Sequence, residues 1–421
     1  MINNYRIPLV FLFVLFIHQI SQAQAETETP PPYNIKTISF VQNNQNIIPL
    51  IQLGDSFQLQ FDDLFGNEAN YYYVIQHCDY DWKPSQLSKG EYLQGFDNQR
   101  IRTYENSFNT LQLYSHYTLS IPNPQTQGLI VTGNYVIKIL NEDQTVVFSR
   151  KFIVFQDEVS VPVQVKRSRT IENINEMQNL DFAVKSQTLQ FQTPLTNVKV
   201  LLMKNGQIST GITNIRPQYT IGNDLIYKYN TETQFFGGNE YLYVETKDIR
   251  SPNSTVSYVT AGEIYVSNLY TNEARANKPY TYFPDIDGNF LVNLTNVTAN
   301  VNLEADYTWV AFSLSAPAYF GKKDIYVSGM FNNYSLTPEF KMDYNADKAL
   351  YEKSILIKQG FTNFCYTIAD KNGRIDEKNA VDGNFYQTEN NYFVVVYYRA
   401  NNERYDRVIG KGVASSVDII N

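Results

Sequence analysis

The sequence predicts an all-β protein built from tandem immunoglobulin-like β-sandwich domains, and two observations carry that prediction. The first is composition: the 421 residues include 33 Tyr and 26 Phe but only 2 Trp and 5 Met, and aromatic side chains suit the pleated, half-buried surface of a sheet. The second is the regular spacing of short strand-like segments. Short alternating or β-branched runs recur along the chain, each bounded by Asn, Gly, Pro or Asp, which is the pattern of a sandwich.

The first 25 residues have the features of a secretory signal peptide. Arg6 precedes an apolar run from Ile7 to Ile17, and Ala23-Gln24-Ala25 offers the small-x-small pattern that signal peptidase cleaves. The run is shorter than the roughly 20 apolar residues that a membrane helix needs. We therefore expect an exported chain that starts near Glu26. Because no cysteine stands beside this site, we expect no lipid anchor there.

Breaks in composition divide the exported chain into three expected sandwiches. The N-terminal sandwich covers residues 33–156, and the polar break Gln156-Asp157-Glu158 separates it from a middle sandwich over residues 159–270. A linker is expected at 271–305, where polar residues predominate, and the C-terminal sandwich follows over 306–421.

Charge narrows the class of partner. Loss of Arg6 with the leader would leave 33 basic residues against 42 acidic ones, a net charge of about −9. A chain of this charge is a poor ligand for nucleic acid or for an anionic lipid surface. The two cysteines, Cys78 and Cys365, lie far apart in sequence, and their pairing is left open.

Residue patterns typical of catalysis are scarce. Beyond the leader the sequence holds only His77 and His116, and it contains no G-x-S-x-G, no H-E-x-x-H and no phosphate-binding glycine loop. A glycosidase would have to use carboxylates such as Asp62 and Asp63. We therefore expect a protein that binds a partner, with no catalytic residue, no cofactor and no metal site.

Two segments nevertheless offer metal-binding alternatives. In His77-Cys78-Asp79-Tyr80-Asp81-Trp82, alternate residues of a continued strand would point to one face and could share a metal. The preferred interpretation is a strand end in which Asp81 caps a turn and Trp82 anchors it. In Asp285-Ile286-Asp287-Gly288-Asn289, the start of a calcium loop lacks its later glutamate, so an Asp-Gly turn before a strand is preferred.

Several short motifs follow one another in a specific order. They are Phe61-Asp62-Asp63-Leu64, Asn70-Tyr71-Tyr72-Tyr73, His77-Cys78-Asp79, Asp81-Trp82, Pro84-Ser85, Glu91-Tyr92-Leu93, Gly95-Phe96, Ser107, Asn109-Thr110, Tyr117, Pro122-Asn123, Gly133-Asn134-Tyr135, Phe236-Gly237-Gly238-Asn239-Glu240 and Lys358-Gln359-Gly360. Taken together, this series resembles the type IX secretion system plug protein family of Bacteroidetes-type bacteria, over most of the exported chain.

The resemblance implies a periplasmic protein on the inner side of the outer membrane, where it binds the large β-barrel translocon of that pathway. It would seal the barrel's periplasmic opening when no cargo is present, with other secretion subunits as further partners and no membrane span of its own. The expected contact residues lie in the N-terminal sandwich, the alternative being that they form buried turns and a tyrosine-lined core. These residues are Asp62, Asp63, Tyr72, His77, Asp79, Trp82, Tyr92 and Phe96.

The C-terminal sandwich carries a resemblance of its own. The run from Ile325 to Tyr334 is similar to the early-set immunoglobulin-like module of glycogen-binding proteins, in which a Trp after the Gly stacks on sugar. Here Tyr334 stands near that position. A carbohydrate-binding sandwich protein, with Tyr334 as glycan contact, is therefore the alternative function.

Overall fold

The computed structural model describes residues 24–317 and 323–419. Apart from residues 24 and 25, the predicted signal peptide lies outside the described residues. The described chain is almost entirely β-structure, and its helices are single turns. They are Lys89–Tyr92, Pro194–Asn197, Val301–Glu304, and the 3-10 turns Met330–Asn332 and Ser416–Asp418. The predicted all-β class is confirmed.

The N-terminal unit is a sandwich of two five-stranded sheets. One sheet has the spatial order Gln45–Ile47, Ile35–Gln42, Phe57–Asp63, Ser115–Ile121 and Tyr104–Asn106. The other has the order Leu50–Gln52, Val146–Phe155, Gly133–Leu140, Tyr72–Cys78 and Gln99–Arg100. A small ladder pairs Thr126–Leu129 with Leu93–Gly95. Alternating side chains from both sheets, among them Phe61, Tyr73 and Tyr135, fill one core.

The middle unit is completed by strands from the far end of the chain. Its first sheet has the order Val163–Arg167, Met177–Val184, Asp224–Tyr227 and Tyr219–Ile221, with Gln234–Phe236 also paired to Met177–Val184. The facing sheet has the order Val198–Lys204, Asn391–Tyr398 and Arg407–Ser415. Strand Asn391–Tyr398 is apolar without alternation because its two faces pack into two different cores.

The C-terminal unit is inserted between strands of the middle one. One sheet has the order Leu242–Glu245, Gly360–Asp370 and Phe290–Val292, with Lys323–Ser328 also paired to Gly360–Asp370. The other has the order Val256–Thr260, Val266–Leu269, Tyr307–Ser315, Leu350–Lys358 and Asp343–Asn345, with Asn272–Glu273 parallel to Tyr307–Ser315.

This pairing corrects two of the predicted boundaries. Residues 242–269 were assigned to the middle sandwich, but their strands pair within the C-terminal unit. Residues 391–415 were assigned to the C-terminal sandwich, but their strands pair within the middle unit. The predicted linker at 271–305 holds the strands Asn272–Glu273 and Phe290–Val292. The reason is that hydrogen-bonding partners in a sheet are set by packing between distant segments, whereas composition breaks report only local polarity.

Two further cores lie between the units. Ile153 and Phe155 of the N-terminal unit pack with Leu201, Met203 and Tyr397 of the middle unit. The second core lies between the N-terminal and C-terminal units and consists of Leu64, Tyr114, Tyr307 and Leu356. Burying an apolar side chain contributes about 1.5–3 kcal/mol, so these two cores stabilise the contacts of the N-terminal unit with the middle and C-terminal units.

Candidate functional site

The segment from His77 to Trp82 joins the N-terminal unit to the middle one. His77 is fully buried on strand Tyr72–Cys78, where Nδ1 lies 2.7 Å from Ser85 Oγ and Nε2 lies 3.2 Å from the carbonyl oxygen of Thr132. Its ring packs edge-on against Tyr405 of the middle unit. Burial lowers the pKa of His77 to about 4, so the imidazole stays neutral at physiological pH.

Asp79 and Tyr80 extend the same junction. Arg399 makes an ion pair of 2.7 Å with Asp79, and the backbone N–H of Asp406 also donates to Asp79. The hydroxyl of Tyr80 donates to the carbonyl oxygen of Val200 at 2.9 Å and accepts from the N–H of Asn214 at 3.0 Å. All of these partners belong to the middle unit, so Asp79 and Tyr80 hold two units together.

The metal-binding alternative for this segment finds no support. The structure separates the three side chains: His77 is buried, Asp79 pairs with Arg399, and Asp81 pairs with Lys83 at the exposed turn. Among residues 24–317 and 323–419, no group of three or more His, Cys, Asp or Glu side chains is arranged to hold a metal ion. Trp82 adopts the left-handed conformation of a turn, with φ of 62°.

A second junction surrounds Asp62. Its carboxylate accepts hydrogen bonds of 2.6 Å from Tyr307 Oη and from Lys358 Nζ, and it lies 2.6 Å from His116 Nδ1. Burial alone would raise the pKa of Asp62, but Lys358 and His116 hold that pKa below its usual value. Lys358 is buried too and lies over the ring of Tyr114. This cluster binds the N-terminal unit to the C-terminal one.

The remaining predicted contact residues divide between interior and surface. Asp63 is fully buried, accepting from Asn34 Nδ2 at 2.7 Å and from Tyr71 Oη at 3.0 Å. Tyr92 is a core residue, and Tyr72 is half-buried. Phe96 is 75% exposed.

The expectation that these residues line a partner surface is therefore corrected for the buried ones. Asp62, Asp63, His77 and Tyr92 are at most 2% exposed. Asp62 and His77 are covered where units meet, whereas Asp63 and Tyr92 are buried within the N-terminal unit itself. The alternative, in which they form buried turns and a tyrosine-lined core, describes their positions. Phe96, Trp82, Tyr72 and Asp79 keep at least part of their surface exposed, and their contact with a partner stays a prediction.

Tyr334 lies inside a cleft between the units rather than on an open sugar-binding face. Its hydroxyl lies 3.1 Å from that of Tyr241, and its ring is partly buried. Burial raises its pKa above the ordinary value for a tyrosine.

The neighbouring Asp287-Gly288 pair forms the predicted turn before strand Phe290–Val292, with φ of 53° and 81°. Cys78 and Cys365 are both free thiols.

One exposed apolar surface was not predicted. Phe65, Phe108, Leu111 and Leu113 are 69%, 37%, 52% and 62% exposed on two loops of the N-terminal unit. We call this set the apolar loop patch. The Asp306 carboxylate fixes the second loop by accepting from the N–H groups of Leu111 and Gln112. Four large apolar residues in turn-rich sequence are the signal that would have revealed it.

These features define a class: an all-β assembly of three connected sandwich units, whose most distinctive residues lie where the units meet. Residues 35–156 match the family model for the type 9 secretion system plug protein 1st domain. A crystal structure of a hypothetical protein from Parabacteroides merdae is similar over 93% of this chain and 100% of that one, with 30% identity and a TM-score of 0.87. No curated protein matches.

The chain belongs to the type IX secretion system plug protein family. Membership implies association with the secretion machinery and a periplasmic location near the outer membrane. Within the described ranges, no helix has the length and apolar character needed to cross a membrane.

Proposed function

We propose that this protein is the periplasmic gating subunit that binds the outer-membrane β-barrel translocon of the type IX secretion system and seals its periplasmic opening when cargo is absent. The observation that carries this proposal is the position of the family's motif residues. Asp62, His77 and Asp79 lie at the junctions between units, where they favour one stiff body over three mobile ones. A seal across a wide pore requires such stiffness.

The apolar loop patch is the surface that we assign to contact with the barrel. Exposed apolar patches on a soluble protein mark interaction sites, and this one is held in place by the Asp306 carboxylate and by a hydrogen bond of 3.0 Å from Gln112 Nε2 to the carbonyl oxygen of Leu64. A preordered loop loses little conformational entropy on binding. The patch also lies within the domain that the family model matches.

Co-purification tests the partner. A tagged chain isolated from detergent-solubilised outer membrane should bring down a large β-barrel protein. The double variant Phe65→Ser/Leu113→Ser should reduce that yield about tenfold, since truncating central apolar contacts of an interface commonly costs 1–2 kcal/mol or more. Ile171→Ser, at a residue 93% exposed on the middle unit, is the matched control and should leave the yield unchanged.

Two outcomes would end the proposal in its present form. If the unmodified chain captures no large barrel, the plug function fails. If the barrel is captured equally by the double variant, the barrel contact lies on another surface. A strain lacking the protein should also become more permeable to medium-sized solutes through the open barrel, and unchanged permeability would argue against a sealing role.

A further inference from the structure

A cleft of about 610 Å³ lies where all three units meet. The N-terminal unit contributes Phe40 and Trp82, the middle unit Ile208, and the C-terminal unit Phe290 and Met330. Ligand sites are typically apolar clefts of roughly 300–1,000 Å³ with a few polar groups that fix orientation. The volume and lining of this cleft fall in that class.

Hydrogen bonds between the units hold the walls of the cleft in place. Asn46 Nδ2 donates to the carbonyl oxygen of Phe290 at 2.8 Å, linking the N-terminal and C-terminal units. Tyr80 links the N-terminal and middle units through Val200 and Asn214. The segment before the first strand closes another side, where Asn333 Nδ2 donates to the Glu28 carboxylate at 2.7 Å. A cleft built in this way is preformed, which reduces the entropic cost of binding.

Arg150 supplies the polar group that makes the cleft specific. It lines the cavity and is only 8% exposed, yet within the described ranges its guanidinium makes a single hydrogen bond, from Nη1 to the carbonyl oxygen of Ser149 at 3.0 Å. No carboxylate of the described chain lies within ion-pair distance of it. A buried guanidinium without an ion-pair partner is costly, because the charge has lost its water without gaining an anion.

The nearest acid does not neutralise this arginine by direct contact. Glu28 acts on Arg150 through its charge, but its two carboxylate oxygens already accept from the backbone N–H of Lys151 and from Asn333 Nδ2. The ammonium of Lys151 lies 4.3 Å from the centre of the Trp82 ring, at the same cleft. Asp81 also lines the cleft, but its ion pair of 2.8 Å with Lys83 balances its charge. The two cations Arg150 and Lys151 and the one carboxylate of Glu28 therefore leave an excess of about one positive charge.

We propose that this cleft binds a small organic monoanion with an apolar body, its acidic group paired with Arg150 and its body lying against Trp82, Phe40 and Phe290. The planar guanidinium fork matches a carboxylate in two parallel hydrogen bonds. One excess positive charge suits a singly charged head. The site is independent of the apolar loop patch, none of whose four residues lines the cleft.

Fluorescence titration of the purified full chain tests the proposal with two probes of similar shape. 8-Anilinonaphthalene-1-sulfonate carries an anionic group, whereas N-phenyl-1-naphthylamine has the same aromatic body without it. We expect the anionic probe to bind at least tenfold more tightly, and Arg150→Gln to remove that preference, because the preference depends on charge-assisted hydrogen bonds from the guanidinium to the anionic group. Arg250→Gln, at an exposed arginine outside the cleft, should keep it.

A second variant identifies the place of binding. Ser209 lines the mouth of the cleft with an exposed side chain, so Ser209→Trp should fill the entrance without disturbing a core and abolish binding of both probes. Equal affinity of the wild-type chain for the two probes would overturn the proposal, even if Arg150→Gln failed to fold. Binding of the anionic probe that survives Ser209→Trp would also overturn it, because the probe would then sit elsewhere.

Discussion

The Nζ atom of Lys358 donates a hydrogen bond of 2.6 Å to Oδ2 of Asp62, a carboxylate 296 positions earlier in the chain. Both side chains are almost completely removed from solvent. A buried ion pair gains little over a well-packed apolar pair, but removing one partner leaves the other charge buried and unpaired. The pair therefore makes the junction between the N-terminal and C-terminal units sensitive to single substitutions.

Asp62→Asn should destabilise the folded chain by about 3–5 kcal/mol, because Lys358 would keep its charge in an apolar site without its anionic partner. The measurement is the free energy of unfolding in urea. Lys348→Met is the control, since the ion pair of Lys348 with Glu352 is exposed to solvent and should contribute little to stability. A loss below about 1 kcal/mol for Asp62→Asn would contradict the assigned ion pair.

His77 should make the protein sensitive to acid. Its pKa is lowered by burial from 6.5 to about 4, so between these values the unfolded chain binds the proton and the folded chain does not. The stabilisation is complete above pH 6.5 and is lost as pH falls towards 4. The shift corresponds to about 3 kcal/mol at most.

His77→Gln should weaken this pH dependence. The difference in unfolding free energy between wild type and variant should narrow on acidification through the same window, because the variant has no proton to gain. A difference that stays constant with pH would show that the imidazole does not titrate differently in the two states.

Glu240 should give stability a pH dependence opposite to that of His77. Burial raises its pKa from 4.5 to about 7, and the Asp285 and Glu389 charges add to the rise. The folded chain therefore binds the proton more tightly, and the associated stability, present below pH 4.5, is lost as pH rises through about 7. Glu240→Gln should gain on wild type by on the order of 1–2 kcal/mol across this window, measured by urea unfolding at each pH. If the unfolding free energies of wild type and variant change in parallel with pH, the raised pKa of Glu240 is refuted.

Gly360 should tolerate no side chain. Its φ is 144°, and a Cβ atom there would lie 1.9 Å from the carbonyl oxygen of Leu291 on the neighbouring strand. Gly360→Ala should therefore cost about 3 kcal/mol or more, or separate strand Phe290–Val292 from its neighbour. Gly90→Ala is the matched control, because a Cβ at Gly90 meets nothing within 4 Å. Thermal unfolding of both variants checks the difference, and equal melting temperatures would be the contrary result.

Sequence alone identified the fold class, because strand alternation and turn residues are local signals. It identified the family as well, since the ordered motifs from Phe61 to Tyr135 coincide with the domain that the family model matches. The Asp-Gly turn at residues 287 and 288 was also predictable from two adjacent residues. Each of these features depends on a short stretch of chain and its immediate neighbours.

The tertiary structure decided which strands pair with one another and which motif residues are buried. Strand Asn391–Tyr398 has the pattern of any buried strand, and only packing assigns it to Val198–Lys204, almost 200 positions away. Asp62 and His77 have the polarity of surface residues, yet distant partners such as Lys358 and Tyr405 close over them. Burial of a charge is a property of two segments brought together, so the sequence around Asp62 could not determine it.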